Sequence, residues 1–117
     1  MFFYGEAPAV AKVFVESVSY LGPGMPTLPL EEQGEQDLRA TMTFYRLALR
    51  MALHQGVPEA VTDIIIGWHD ESFEALVRAS ESFRKRVFDG QYRHPLAKTE
   101  KNRSKYLKIA ESVASES

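Results

Sequence analysis

Three histidines, His54, His69 and His94, are the candidates for acid–base work or metal ligation near neutral pH. None stands in a local pattern that would make it reactive. His54 falls at the end of a helical pattern, where a cation or a capping donor is favoured. His94 precedes Pro95 in a loop. His69 opens the run His69-Asp70-Glu71, whose residue types are those of a metal site. Neighbours on a helix diverge by about 100°, however, so three consecutive ligands cannot converge on one ion. Glu59 and Asp63 share a helix face at i, i+4, but two carboxylates on a short helix are usually solvated charge. The chain has no cysteine, which removes thiolate nucleophiles, disulfides and sulfur-ligated zinc, and fits a reducing compartment. No HExxH or GxSxG run occurs, and Gly22-Pro23-Gly24 is a turn, not a phosphate cradle. The expectation is a non-enzymatic protein without metal or cofactor.

Binding chemistry is better represented. The net charge of -2 hides a strong asymmetry. Residues 1–83 hold five Lys/Arg against twelve Asp/Glu, whereas residues 84–108 hold nine against two. The basic side chains are Arg84, Lys85, Arg86, Arg93, Lys98, Lys101, Arg103, Lys105 and Lys108, with Tyr92 and Tyr106 interleaved. Cations that grip phosphates beside aromatic rings that stack on bases would make a nucleic-acid surface. The same residues also suit a solvated helix paired with the acidic body of its own chain or of a second copy. Ala52, Gly56 and Val57 have the spacing of a helix-turn-helix turn. The helix that would read bases carries Glu59, Asp63 and three isoleucines, which are poor readers of base edges beside a polyanion.

The elements that position these residues follow from punctuation and period. At 117 residues, 44% hydrophobic and 26% charged, the chain has the size and composition of one soluble domain. Pro8 and the stripe Val10, Val13, Phe14, Ser17 and Leu21, closed by Gly22-Pro23, predict a first helix, with a strand through Val13-Phe14-Val15 as the rival. Pro23, Pro26 and Pro29 make residues 22–30 an extended, proline-stiffened linker, at a spacing that adaptor domains also recognise. A long helix is predicted over 31–55, with Glu31, Glu32, Glu35 and Asp37 at its start and Gly56 as its stop. Pro58 opens a helix over 58–69, and a further amphipathic helix over 71–89 ends at Asp89-Gly90. In that helix Phe73, Leu76, Val77, Phe83, Val87 and Phe88 are expected to face inward. A last helix runs from Leu96 to about Ala114, within a basic C-terminal region spanning 84–117. The longest uncharged run, Ser17 to Leu30, carries three prolines and falls short of the roughly 20 apolar residues of a membrane span. With no basic, signal-like start, the expectation is a cytoplasmic protein with no membrane partner.

These elements predict an all-α, single-domain bundle of four to five helices, with an unusual apolar pattern. The 31–55 helix carries one stripe through Leu38, Met42, Tyr45, Leu49 and Leu53, and another through Ala40, Phe44, Leu47 and Met51. Arg39, Thr43, Arg46 and Arg50 form a polar ridge between them. The 58–69 helix is apolar on most of its girth: Val61, Ile64, Ile65 and Trp68 share one face, and Ile66 points away. A surface helix needs one apolar face, so these residues are either core or a docking surface. The reading taken is that of a small regulatory or adaptor protein. It binds a larger protein, as an inhibitor on that protein's dimerisation surface for example, or self-associates as a dimer. The expected contact residues are Phe44, Leu47, Met51, Arg46, Arg50, Ile65, Ile66, Trp68 and His69. A nucleic-acid regulator using the 84–108 segment is the alternative.

Overall fold

The computed structural model describes residues 6–19, 28–92 and 100–116. In chain order they form α1 (Ala7–Ser19), a 3₁₀ turn (Leu30–Glu32), α2 (Glu35–Gln55), α3 (Glu59–Ala79), α4 (Glu81–Phe88) and α5 (Glu100–Ser115). The fold is all-α, no described residue lies in a strand, and no described helix is long and apolar enough to cross a membrane. The helical reading of the first segment holds. Residues 20–27 of the expected linker lie outside the described residues.

α2 and α3, 21 residues each, are the spine. Their turn is a Schellman stop: Gly56, at φ 69°, donates to Leu53, and Val57 donates back to Ala52. The two helices it joins stay packed from Ala52 and Val61 to Leu38 and Leu76, so the spacing that resembled a helix-turn-helix turn serves an antiparallel hairpin and not a steep crossing. Pro58 then enters α3, its carbonyl accepting from Val61 at 2.9 Å. Gly90, at φ 73°, closes α4 in the same way, with Gly90 donating to Val87 and Gln91 to Arg86.

The expected boundaries need correction at two places. The predicted 31–55 helix starts only at Glu35, and Glu31 and Glu32 lie in the 3₁₀ turn before it. The predicted 58–69 and 71–89 helices are not separate at residue 70, because α3 runs unbroken to Ala79. The break falls at Ser80, which has extended backbone, and its hydroxyl oxygen caps α4 by accepting from the Phe83 amide at 3.1 Å. Arg84 Nε donates to the Val77 carbonyl at 3.2 Å, filling an acceptor that the end of α3 leaves open. A serine can end one helix and start another without a glycine or proline, so the punctuation of the sequence does not reveal this junction.

The spine is longer than one layer of short helices can cover, and it builds two cores end to end. Near the turn, Ala7, Ala11, Val15 and Val18 of α1 bury Phe44, Ala48, Leu49 and Ala52 of α2 and Val61 and Ile65 of α3. Toward the other end, Leu38 and Met42 meet Phe73, Leu76 and Val77. Phe83 and Val87 of α4 and Tyr106, Ala110 and Val113 of α5 close that second core. The result is elongated, 46 × 32 × 23 Å.

Candidate interaction surface

The second core contains a buried polar network that the sequence reading did not identify. His69 is 0% exposed. Its Nδ1 lies 3.0 Å from Asp70 Oδ1 and its Nε2 lies 2.6 Å from the Tyr92 hydroxyl. Tyr106 donates to the same Asp70 oxygen at 2.6 Å, and Lys105 pairs with the other oxygen. One proton inventory satisfies these bonds. Tyr92 donates to Nε2, the Nδ1 proton goes to Asp70, and the ammonium of Lys105 balances the carboxylate. Burial alone would raise the Asp70 pKa, but hydrogen bonds from His69, Lys105 and Tyr106 outweigh it and hold the group at about 2. Burial raises the Tyr92 phenol, and burial together with the neighbouring Asp70 raises that of Tyr106, so both stay protonated donors.

Rings complete the cluster. Phe73 sits 4.8 Å from Tyr106 and 5.0 Å from Tyr92, centroid to centroid, and Phe83 lies 5.6 Å from Phe73. The ridge of α2 roofs it, with the guanidinium of Arg46 5.7 Å above Tyr92 and that of Arg39 5.5 Å above Phe83. Chemically, this arrangement latches α3, the residues after α4, and α5 together. His69 and Asp70 are engaged by Tyr92, Tyr106 and Lys105.

These placements revise the expected contact residues. Phe44, Ile65 and His69 are each 0% exposed, so they are core and line no docking face. Arg46 is committed to Tyr92. Leu47, Met51, Ile66 and Trp68 are half-buried against the first core, Trp68 with its ring 6.0 Å from Tyr45, and Arg50 is exposed. The apolar surplus of the two central helices is thus largely absorbed by α1 on one core and by α4 and α5 on the other.

The basic segment is revised as well. Tyr92 and Tyr106 turn inward, so they offer no ring for a base to stack on. Lys105 is tied to Asp70, and Arg84 reaches back to Val77. Lys85 and Arg86 are exposed on α4. Arg93 and Lys98 lie outside the described residues, as do the side chains of Lys101 and Arg103.

The surface that the structure does present is on α4 and α5. The chain runs up α3, back along α4 and up again in α5, since Asp70 bonds Tyr106 while Arg78, further on, pairs with Glu116. The outer side of this pair holds an open groove of 520 Å³ lined by Glu81, Ser82, Arg84, Lys85, Phe88 and Ala114. Phe88, expected inside, is 44% exposed there. Leu107, 38% exposed, shares a flank of α5 with Ala114, two helical turns away. No protein-family model, curated protein or solved structure matches the chain.

Proposed function

We propose that this chain is a small, non-enzymatic interaction protein of regulatory or adaptor type, suited by its lack of cysteine to the reducing cytoplasm, and that it docks a protein partner along the α4–α5 groove. The observation that carries this reading is Phe88. An aromatic ring 44% exposed on the rim of an open groove, with Arg84 and Lys85 beside it, has the composition of an interface anchor within a polar rim. The groove between two antiparallel helices also has the form into which a third, amphipathic helix lays its apolar face. The inward turn of Tyr92 and Tyr106 favours a protein partner over a single-stranded nucleic acid.

The test is site-specific photocrosslinking in cells, with a benzophenone side chain placed at Phe88 and, as a control, at Arg50. A discrete adduct from position 88 and none from position 50 is the expected result. No adduct from position 88, in cells where the protein is folded and abundant, overturns the reading.

A further inference from the structure

Resting on that reading of the groove, we propose that its occupant is a second copy of this chain, whose acidic end, Glu31, Glu32 and Asp37, meets the groove's Arg84, Lys85 and Phe88. Charge on both faces lacks a partner among the described residues. Glu31, Glu32 and Asp37 are exposed, and among the described residues none of them makes an ion pair. Lys85 is likewise exposed and unpaired among the described residues. Among the described residues, the acidic face and a partly apolar face on which Arg84 and Lys85 outnumber Glu81 do not neutralise each other, although the two adjoin. Ser80 donates to Glu35 at 2.8 Å and Arg39 lies over Phe83, which sets the start of α2 against the start of α4.

Two complementary faces side by side at one end of a molecule allow a reciprocal contact. Each copy offers its acids to the other's groove, and the pair closes under a two-fold axis instead of extending into a filament. Phe88 supplies the apolar centre of the contact, and the charges supply its register and encounter rate. The eight-residue α4 spans about 12 Å, so the acids and the ring fall within the breadth of one ordinary interface.

Sedimentation velocity and light scattering on the whole chain test this. Near 100 µM protein, the expected species in about 0.01 M salt has twice the 13.2 kDa chain mass, and it dissociates in about 1 M salt, where the screening length falls from roughly 30 to roughly 3 Å. Two charge-reversed variants, Arg84→Glu/Lys85→Glu and Glu31→Lys/Glu32→Lys, are each expected to weaken self-association at least tenfold. Mixed in equal amounts they restore a pair, because both contacts of the mixed dimer regain opposite charges. Lys85→Glu alone serves if losing the Arg84 bond to Val77 disturbs the α3–α4 junction, and Arg50→Glu, away from the face, is expected to leave the dimer intact. A wild-type monomer at low salt, a dimer indifferent to these reversals, a mixture that stays monomeric, or a dimer equally lost in Arg50→Glu overturns the proposal. The crosslink at position 88 separates the two readings. A self-adduct supports the second copy, an adduct with another protein overturns it while leaving the interaction reading standing, and no adduct overturns both.

Discussion

Asp70→Asn should show how much of the fold depends on the buried latch. The wild-type carboxylate is 16% exposed and accepts from His69 and Tyr106 on one oxygen and from Lys105 on the other. Asparagine keeps a carbonyl that can receive the first two bonds, but it turns an amide donor toward the Lys105 ammonium and removes the charge. The depressed pKa gives the magnitude. A carboxyl moved from 3.8 in the unfolded chain to about 2 in the native one stabilises the fold by about 2 kcal/mol at neutral pH. For a chain of this size that corresponds to a midpoint lower by roughly 8 °C in the variant. The sign fixes the pH window. Because the native pKa is lowered, the contribution is complete above the unfolded value and disappears as the pH falls through 3.8 toward 2. Urea unfolding followed by circular dichroism, at pH 7 and near pH 2, should therefore show a gap of about 2 kcal/mol between the proteins that closes in acid. A gap below about 0.5 kcal/mol at pH 7, or one of equal size at both pH values, would refute the reasoning.

Other expectations concern the helix ends and the two candidate surfaces. Gly67 lies inside α3 with nothing within 4 Å of where a Cβ would stand, so Gly67→Ala should raise stability by about 0.5–1 kcal/mol in thermal melts. Gly56→Ala should lower it by about 1 kcal/mol, because alanine is strained at φ +69°. Ser80→Ala deletes the cap of α4 and should cost about 1 kcal/mol, with faster amide exchange over residues 81–88 than over α2. Trp68→Glu should unfold or loosen the first core, whereas Phe88→Glu, measured in about 1 M salt where the pair is dissociated, should leave the helical circular dichroism and the melting point unchanged. Equal loss of folding in both would return Phe88 to the interior.

The fold was legible where the sequence spends residues on local signals. Pro8, Gly56, Pro58 and Gly90 mark helix ends through backbone geometry that acts within a few residues, and the structure uses each near the expected boundary. The Ser80 junction depends on a cap shared with Glu35, 45 residues away, so no local period announces it. Missing it carried a consequence. Treating 71–89 as one helix continues the apolar face of Phe73 and Leu76 through to Phe88. In the structure the chain reverses at Ser80, the helical register restarts, and Phe88 comes out on the rim of the groove. The latch was hidden for a similar reason, since His69 meets a tyrosine 23 residues away and Asp70 one 36 residues away. One signal does stand in the sequence. His69 is four residues after Ile65 and four before Phe73, so it occupies a slot on the core face of α3, where a polar side chain must find buried partners.

The two apolar stripes of α2 are accounted for within the chain. An apolar surplus follows only if a chain of this length builds one core. Helices of 21 residues extend about 31 Å, well beyond what α4, with eight residues, or α1, with 13, can cover. Each short helix therefore serves only part of the spine. α1 meets Phe44 and Ala48 near the turn, while α4 and α5 meet Leu38 and Met42 at the far end. A long helix with two apolar stripes is thus what a spine flanked by different helices along its length requires, and it calls for no outside partner. The exposed apolar side chains that remain on the second half belong to its outermost layer. Among the described residues no helix lies beyond α4 and α5, and an apolar residue on their outer flank, as Phe88 is, has no described core to fill. The proposed docking face therefore falls to α4 and α5, because the apolar faces of the more hydrophobic α2 and α3 already have partners.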